Sequence, residues 1–279
     1  MKKEVKKIVE GIKKIKIQGA TNIAKAALKA YLLEPTKQVK KALINARPTE
    51  PMLINVINFI EKCYYKEKQS CLNIPLHFDL SQEKINQFVF KIIKNNSVIY
   101  THCHSTNVIK ALIYAKKHGK KFEVYNTETR PLFQGRKTAL ELSNAGIKVT
   151  NFVDAALAIA LEKKQGTKKV NLVLLGSDAI LKDGIINKVG SGLIAELAFL
   201  HKIPLYIVSD SWKFFPKNIK IEERDFREVW KNAPKYIKIK NPAFEFVDKK
   251  YIKSIISELG ILKFNDFLKK LKKKLMKIK

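Results

Sequence analysis

The sequence predicts an α/β protein: an N-terminal helical domain followed by a doubly wound, mostly parallel sheet. Three observations carry that expectation. Apolar residues recur at three-to-four spacing through the first ninety or so positions, as amphipathic helices require. After Ser97 the rhythm changes to short apolar runs alternating with helical segments, the pattern of a parallel sheet covered on both faces. The apolar runs then end, one after another, in polar or reactive residues.

Taken in order, "TNIAKAALKAYLLE" and "EPMLINVINFIEKCYYKEK" are helices separated by the rigid break "NARPTEP", and "SQEKINQFVFKIIKNN" is a third, with Ser81 as its expected cap. The strands are "SVIYTHC", "FEVYNTE", "KVTNFVD", "VNLVLLGSD" and "PLYIVSD". Between them "TNVIKALIYAKKHG", "KTALELSNAG", "DAALAIALEKK" and "GLIAELAFLHK" read as helices, the third capped by Asp154. The expected domains are residues 1–90 (helical), 91–262 (sheet) and 263–279, a basic tail containing "FLKKLKKKLMKIK" and taken to be exposed.

Composition narrows the class. The chain has 279 residues, a hydrophobic fraction of 46% and a net charge of +30. No apolar run approaches the roughly 20 residues of a membrane span, and the first residues lack a signal-peptide core. Cys63, Cys71 and Cys103 are too few for a disulfide framework. A cytoplasmic protein without membrane contact is expected. Of the 55 basic residues only five are arginines. Lysines spread over every segment describe a solvated surface better than a nucleic-acid patch, which favours Arg and concentration. The tail remains a candidate for RNA or an acidic partner.

Strand ends in an open parallel sheet are where ligands bind. Here they bring Cys103, Glu128 with Arg130, Asp154, Asp178 and Asp210. "HSTN", with Ser105, offers free backbone N–H groups at a helix start, an anion-ready arrangement. Arg47 and Arg130 stand in Pro-bounded loops, Asn187 and Lys188 lie beside two glycines, and Lys213 follows the last of these strands. Cations converging from separate loops point to a phosphorylated ligand, with room for two phosphates. No Walker A or G-x-G-x-x-G pattern is present, so nucleotide cofactors are not expected.

"IYTHCHSTNVIKAL" leaves metal binding, nucleophilic catalysis, proton transfer and simple packing open for Cys103. In an extended segment His102 and His104 share one face and Cys103 takes the other, which argues against a joint metal site. No metal is expected.

Several segments in fixed succession resemble one family: "IQGATNIA", "NARPT", "IYTHCHSTNVIKAL", "TETRPLFQGRKTALELSNAGIKVTNFVDAA", "LLGSDAILKDGIINKVGSGLIAELA", "SWKFFP", "KIKNPAFEFV" and "IISELGI". They are similar to the superfamily of initiation factor 2B alpha/beta/delta subunits and sugar-phosphate isomerases. Within it they most resemble archaeal ribose-1,5-bisphosphate isomerases, which make ribulose 1,5-bisphosphate in AMP degradation. The resemblance covers about residues 15–262 and implies a Rossmann-like second domain, a dimer or hexamer, and AMP as a candidate activator. It implies Cys103 and Asp178 as the proton-transfer pair. It assigns Gln18, Gly19, Ala20, Thr21, Arg47, Ser105, Arg130, Gln134, Asn187, Lys188 and Lys213 to the phosphorylated sugar. A thiolate at a helix start among basic groups is expected to have a lowered pKa.

The chain departs from those isomerases at Gln18, where they usually read Arg before Gly-Ala, so one phosphate-binding cation is missing. Methylthioribose-1-phosphate isomerases share the Cys–Asp pair but usually have a longer N-terminal region. The non-catalytic alternative is a regulatory subunit that binds a translation initiation factor or RNA.

Overall fold

A computed structural model describes residues 1–17, 19–64, 73–217, 219 and 221–276. Gln18 and Cys71 lie outside the described residues. The five expected strands form as β1 (Ser97–Thr101), β2 (Phe122–Thr127), β3 (Lys148–Phe152), β4 (Leu172–Leu175) and β7 (Leu205–Val208). Two more, β9 (Ser254–Ser257) and β10 (Gly260–Leu262), complete a seven-stranded sheet of order β10-β9-β7-β4-β1-β2-β3. Every neighbour pairs in parallel except β10 on β9. The fold class is the α/β one expected.

Burial of the sheet on both faces explains the unbroken apolar runs. Side chains alternate along each strand. Tyr100, Val173, Leu175 and Ile207 pack on one face with the helix Ser191–Leu200, while Ile99, Leu172, Leu174 and Val208 pack on the other with Thr106–Lys117. A second sheet of β5 (Ala179–Ile180), β6 (Gly184–Lys188) and β8 (Phe244–Asp248) stands beyond the end of β4.

The N-terminal helices Lys3–Lys13, Ala20–Leu33, Lys37–Ala46 and Pro51–Tyr64 close around Val5, Ile12, Ile23, Leu43, Leu53 and Ile57. The next helix, Ile74–Ile92, belongs to both parts: Ile74 and Phe78 sit in that core, Ile85 and Val89 in the sheet's. Ser81 does not start it. With Pro75 pre-organising the first turn, the helix begins seven residues earlier, and Ser81 is buried inside it against His77 Nε2 at 3.4 Å.

Two further expectations are corrected. The basic tail is no loose appendage: the helix Phe264–Met276 presents Phe264, Phe267 and Leu271 at helical spacing and buries all three in the sheet's core. Lys269, Lys270, Lys272 and Lys273 occupy its exposed positions together with Asn265 and Asp266. Asp154 caps no helix. Its carboxylate instead accepts from the backbone N–H groups of Thr129 (2.8 Å) and Arg130 (2.6 Å), holding the loop after β2. Among the described residues no helix is long and apolar enough to cross a membrane.

Candidate active site

The strand order reverses direction between β1 and β4, the place where parallel sheets open a crevice beyond their carboxyl ends. Cys103 follows β1 and Asp178 follows β4, so the two flank that crevice. Cys103 has a left-handed backbone, φ 62°, which a non-glycine residue holds only when its surroundings impose it. Three neighbours impose it. The Cys103 N–H donates to Thr129 Oγ1 (3.1 Å), its carbonyl accepts from Thr138 Oγ1 (2.7 Å), and buried His102 is anchored at Thr127 Oγ1 (2.8 Å) and the Val189 carbonyl (2.9 Å). His104 bonds Thr138 Oγ1 at 3.1 Å and faces Glu141. The two histidines are therefore occupied apart from each other and do not converge with Cys103.

Gly176 lets the end of β4 pass the helix start at Ser105, because a Cβ there would meet Ser105 Oγ at 2.4 Å. Two residues on, the Asp178 N–H donates to the Ile186 carbonyl (2.9 Å), tying the turn to β6. β6 ends in Asn187 and Lys188, both buried, with Asn187 Nδ2 donating to Ser191 Oγ (2.8 Å). Lys213, 7% exposed, donates to the Ser177 carbonyl at 2.6 Å.

From the helical side comes the start of Ala20–Leu33, which has no side-chain cap and opens with Gly19 at φ 83°. Arg47 reaches in from the end of Lys37–Ala46 with Glu222 3.6 Å from its Nε. Asn55 Nδ2 donates to the carbonyls of Trp212 (2.7 Å) and Phe214 (2.8 Å), fastening this wall to the loop that carries Lys213.

These groups enclose a cavity of about 200 Å³. That is below the ~300–1,000 Å³ usual for drug-sized ligands and suits a small polar molecule. Cys103 and Asp178 line it together with Ser105, Gln134, Asn187, Lys188 and Lys213 from the sheet side, and Gly19, Ala20, Thr21 and Arg47 from the helical side. Arg130 does not. Its N–H goes to Asp154, its guanidinium bonds the Val229 carbonyl (3.3 Å) and lies over the Phe133 ring, and the residue is exposed. The Pro-bounded loop turned it outward rather than in.

Sequence reasoning missed Glu50 and Arg224, and it weighed His102 only as a metal ligand, whereas the residue lines the cavity. Arg224, one of the five rare arginines, lines the cavity but is held by Glu222 (3.2 Å) and Glu228. Glu50 directly follows "NARPT", and that adjacency was the available signal.

Electrostatics overturn one further expectation. Burial, reinforced by Asp178, pushes the Cys103 thiol up to about 12, although the His104 N–H and Lys188 pull the other way. Desolvation outweighs the helix start and the lysine. Burial also raises Asp178 above its usual carboxylate range, opposed by Lys213, Arg47 and Lys188. An ionised Asp178 disfavours the Cys103 thiolate, so the two titrations are linked.

Relatives agree with this architecture. Residues 7–264 match the initiation factor 2 subunit family. A ribose 1,5-bisphosphate isomerase from Methanocaldococcus jannaschii is 35% identical, the alignment covering 92% of this chain and 91% of that protein. The Archaeoglobus fulgidus ribose 1,5-bisphosphate isomerase is 32% identical over 93% of this chain and 90% of its own. Among solved structures, a translation initiation factor eIF-2B from Pyrococcus horikoshii OT3 superposes with a TM-score of 0.80 at 25% identity, covering 94% of this chain and 98% of the other. The chain belongs to the initiation factor 2 subunit family.

Proposed function

We propose that the protein is a sugar-phosphate aldose–ketose isomerase and that it converts ribose 1,5-bisphosphate to ribulose 1,5-bisphosphate. The observation that carries this reading is the Cys103–Asp178 pair facing one small cavity beside Arg47, Lys188 and Lys213. The M. jannaschii and A. fulgidus relatives support the choice of substrate.

An aldose 1-phosphate is locked as a ring until the bond between C1 and the ring oxygen breaks. In the reactive form the pair holds one proton, on Asp178. Asp178 donates it to the ring oxygen as Cys103 thiolate removes the proton from C2, leaving an enol between C1 and C2. Cys103 then returns its proton to C1 while the Asp178 carboxylate takes the one on the C2 hydroxyl, which becomes the ketone. The pair ends as it began. Raised Asp178 suits an acid, and Lys188 is the cation that favours the thiolate. The phosphate would sit at the start of Ala20–Leu33 with Arg47.

The second reading is a non-catalytic regulatory subunit, favoured by the likeness to the P. horikoshii factor and by Gln18 in place of a cation. One experiment separates them. The protein is incubated with ribose 1,5-bisphosphate, methylthioribose 1-phosphate and other aldose phosphates, and ketose is measured with and without AMP. Turnover of the bisphosphate supports the isomerase and its substrate; turnover of methylthioribose 1-phosphate alone reassigns the substrate; no turnover at all favours the regulatory subunit. Sedimentation tests the dimer or hexamer that accompanies the proposal.

A further inference from the structure

The Cys103–Asp178 pair accounts for the protons the isomerisation moves, and Arg47, Lys188 and Lys213 account for an anion. Glu50 is explained by neither. It stands at the N-terminal end of the helix Pro51–Tyr64, its carbonyl accepting from the Ile54 N–H at 3.3 Å. Its side chain lines the cavity, and the residue is 4% exposed. Glu50 Oε1 has no hydrogen-bond partner, and neither do Arg47 Nε and Gln134 Oε1, which line the same cavity. Arg47 Nε has the Glu222 carboxylate at 3.6 Å as an ion pair only, and the other two atoms have no hydrogen bond at all; three buried polar atoms with unmade hydrogen bonds around one space mark the contacts of a ligand.

A buried carboxylate beside an anion site is at odds with the site unless it is protonated. Burial, then Asp178, pushes the Glu50 carboxyl up to about 7, against the pull of Lys213 and Arg47. As an acid it carries a donor, and phosphate oxygens are acceptors.

We propose that Glu50 is a substrate-binding residue that works as a carboxylic acid, donating its proton to an oxygen of the phosphate-bearing ligand held by Arg47 and the start of the helix Ala20–Leu33. The proposal takes its ligand class from the isomerase reading, but binding alone tests it. Above neutrality Glu50 must regain a proton as the anion enters, so binding is coupled to proton uptake. The charged groups facing Glu50 are Asp178, Lys213 and Arg47, with Glu222 behind Arg47. The other titratable groups lining the cavity are His102, Cys103, His104, Lys137, Lys188 and Arg224.

Sulfate is the probe, because its charge is constant between pH 6 and 9. Calorimetric titration of the full chain should show wild-type affinity falling by up to tenfold per pH unit above about 7. At pH 8 up to one proton should be taken up, read from heats in buffers of different ionisation enthalpy. Glu50→Gln should bind with little pH dependence, at least tenfold tighter than wild type at pH 9. Asp178→Asn should keep the wild-type slope. A flat wild-type profile, an undiminished slope in Glu50→Gln, or a slope abolished by Asp178→Asn would each overturn the proposal. Should Glu50→Gln fail to fold, the proton uptake of wild type and of Asp178→Asn decides alone. Absence of turnover with every sugar phosphate would sink the isomerase reading and leave the sulfate result standing. A flat sulfate profile in an active isomerase would do the reverse.

Discussion

The two walls of the cavity are built on opposite plans. On the sheet wall, Cys103 is pinned through its backbone by Thr129 and Thr138, Asp178 by Ile186, and Lys213 by Ser177. On the helical wall, Glu50 Oε1 makes no hydrogen bond, Arg47 Nε makes none either and has only the Glu222 carboxylate at 3.6 Å, and the start of Ala20–Leu33 has no side-chain cap. The difference teaches a division of labour. Groups that exchange protons with the reacting atoms, as Cys103 and Asp178 would, need fixed positions, whereas groups that hold an anion can leave their bonds to be made by the ligand.

Changes on the sheet wall should therefore alter turnover, and changes on the helical wall should alter affinity. The largest effect is expected for Cys103→Ser: kcat lower by about a thousandfold or more, since a hydroxyl is far less acidic than a thiol, with KM nearly unchanged. A change confined to KM would break the comparison.

Next comes the pH profile. The reactive pair carries one proton, so kcat/KM should fall on the acid side as the second proton binds, and fall again above about pH 7 as Glu50 loses the proton it gives to the substrate. The midpoint of the acid limb should lie above the ordinary carboxylate value of 3.8, because Asp178 is raised by its burial. Asp178→Asn should remove turnover across the whole range rather than shift the limb.

On the helical wall, Arg47→Met should raise KM for the phosphorylated substrate by about 10–100-fold, the weight of a charge-assisted hydrogen bond of about 1.5–3 kcal/mol. kcat should change much less, and steady-state kinetics give the split. The smallest effect concerns stability. The Glu50 pKa is raised in the fold from 4.5 to about 7, so its stabilising share is complete below 4.5 and is lost as pH rises through about 7. Thermal melts should show Glu50→Gln gaining on wild type as pH rises from 4.5 to about 7 and keeping that gain above it, and equal melting curves at pH 8 would break the assignment.

Much of the sheet wall was legible beforehand because strand ends announce themselves: an apolar run that stops at Cys103 or Asp178 leaves that residue at the carboxyl edge. The helical wall was less so. Glu50 precedes a helix, where an acid ordinarily serves the exposed N-terminus, and nothing in its neighbours says that the helix start is buried. Arg130 misled through its rarity, since a proline-bounded loop can turn a guanidinium outward as easily as inward. The docked tail was hidden by its lysines, which mask an apolar stripe that includes Phe264, Phe267 and Leu271, with Leu268 beside it.

The helix Ile74–Ile92 has 19 residues, a rod of ~28 Å. Its first half is rooted in the helical core and its second in the sheet. Neither part can melt without exposing one end of the rod. Despite two separate hydrophobic centres, heat should thus unfold the chain in a single cooperative transition, with calorimetric and van't Hoff enthalpies in agreement. A polar residue at Ile85 or Val89 would uncouple that rod from the sheet and split the endotherm in two.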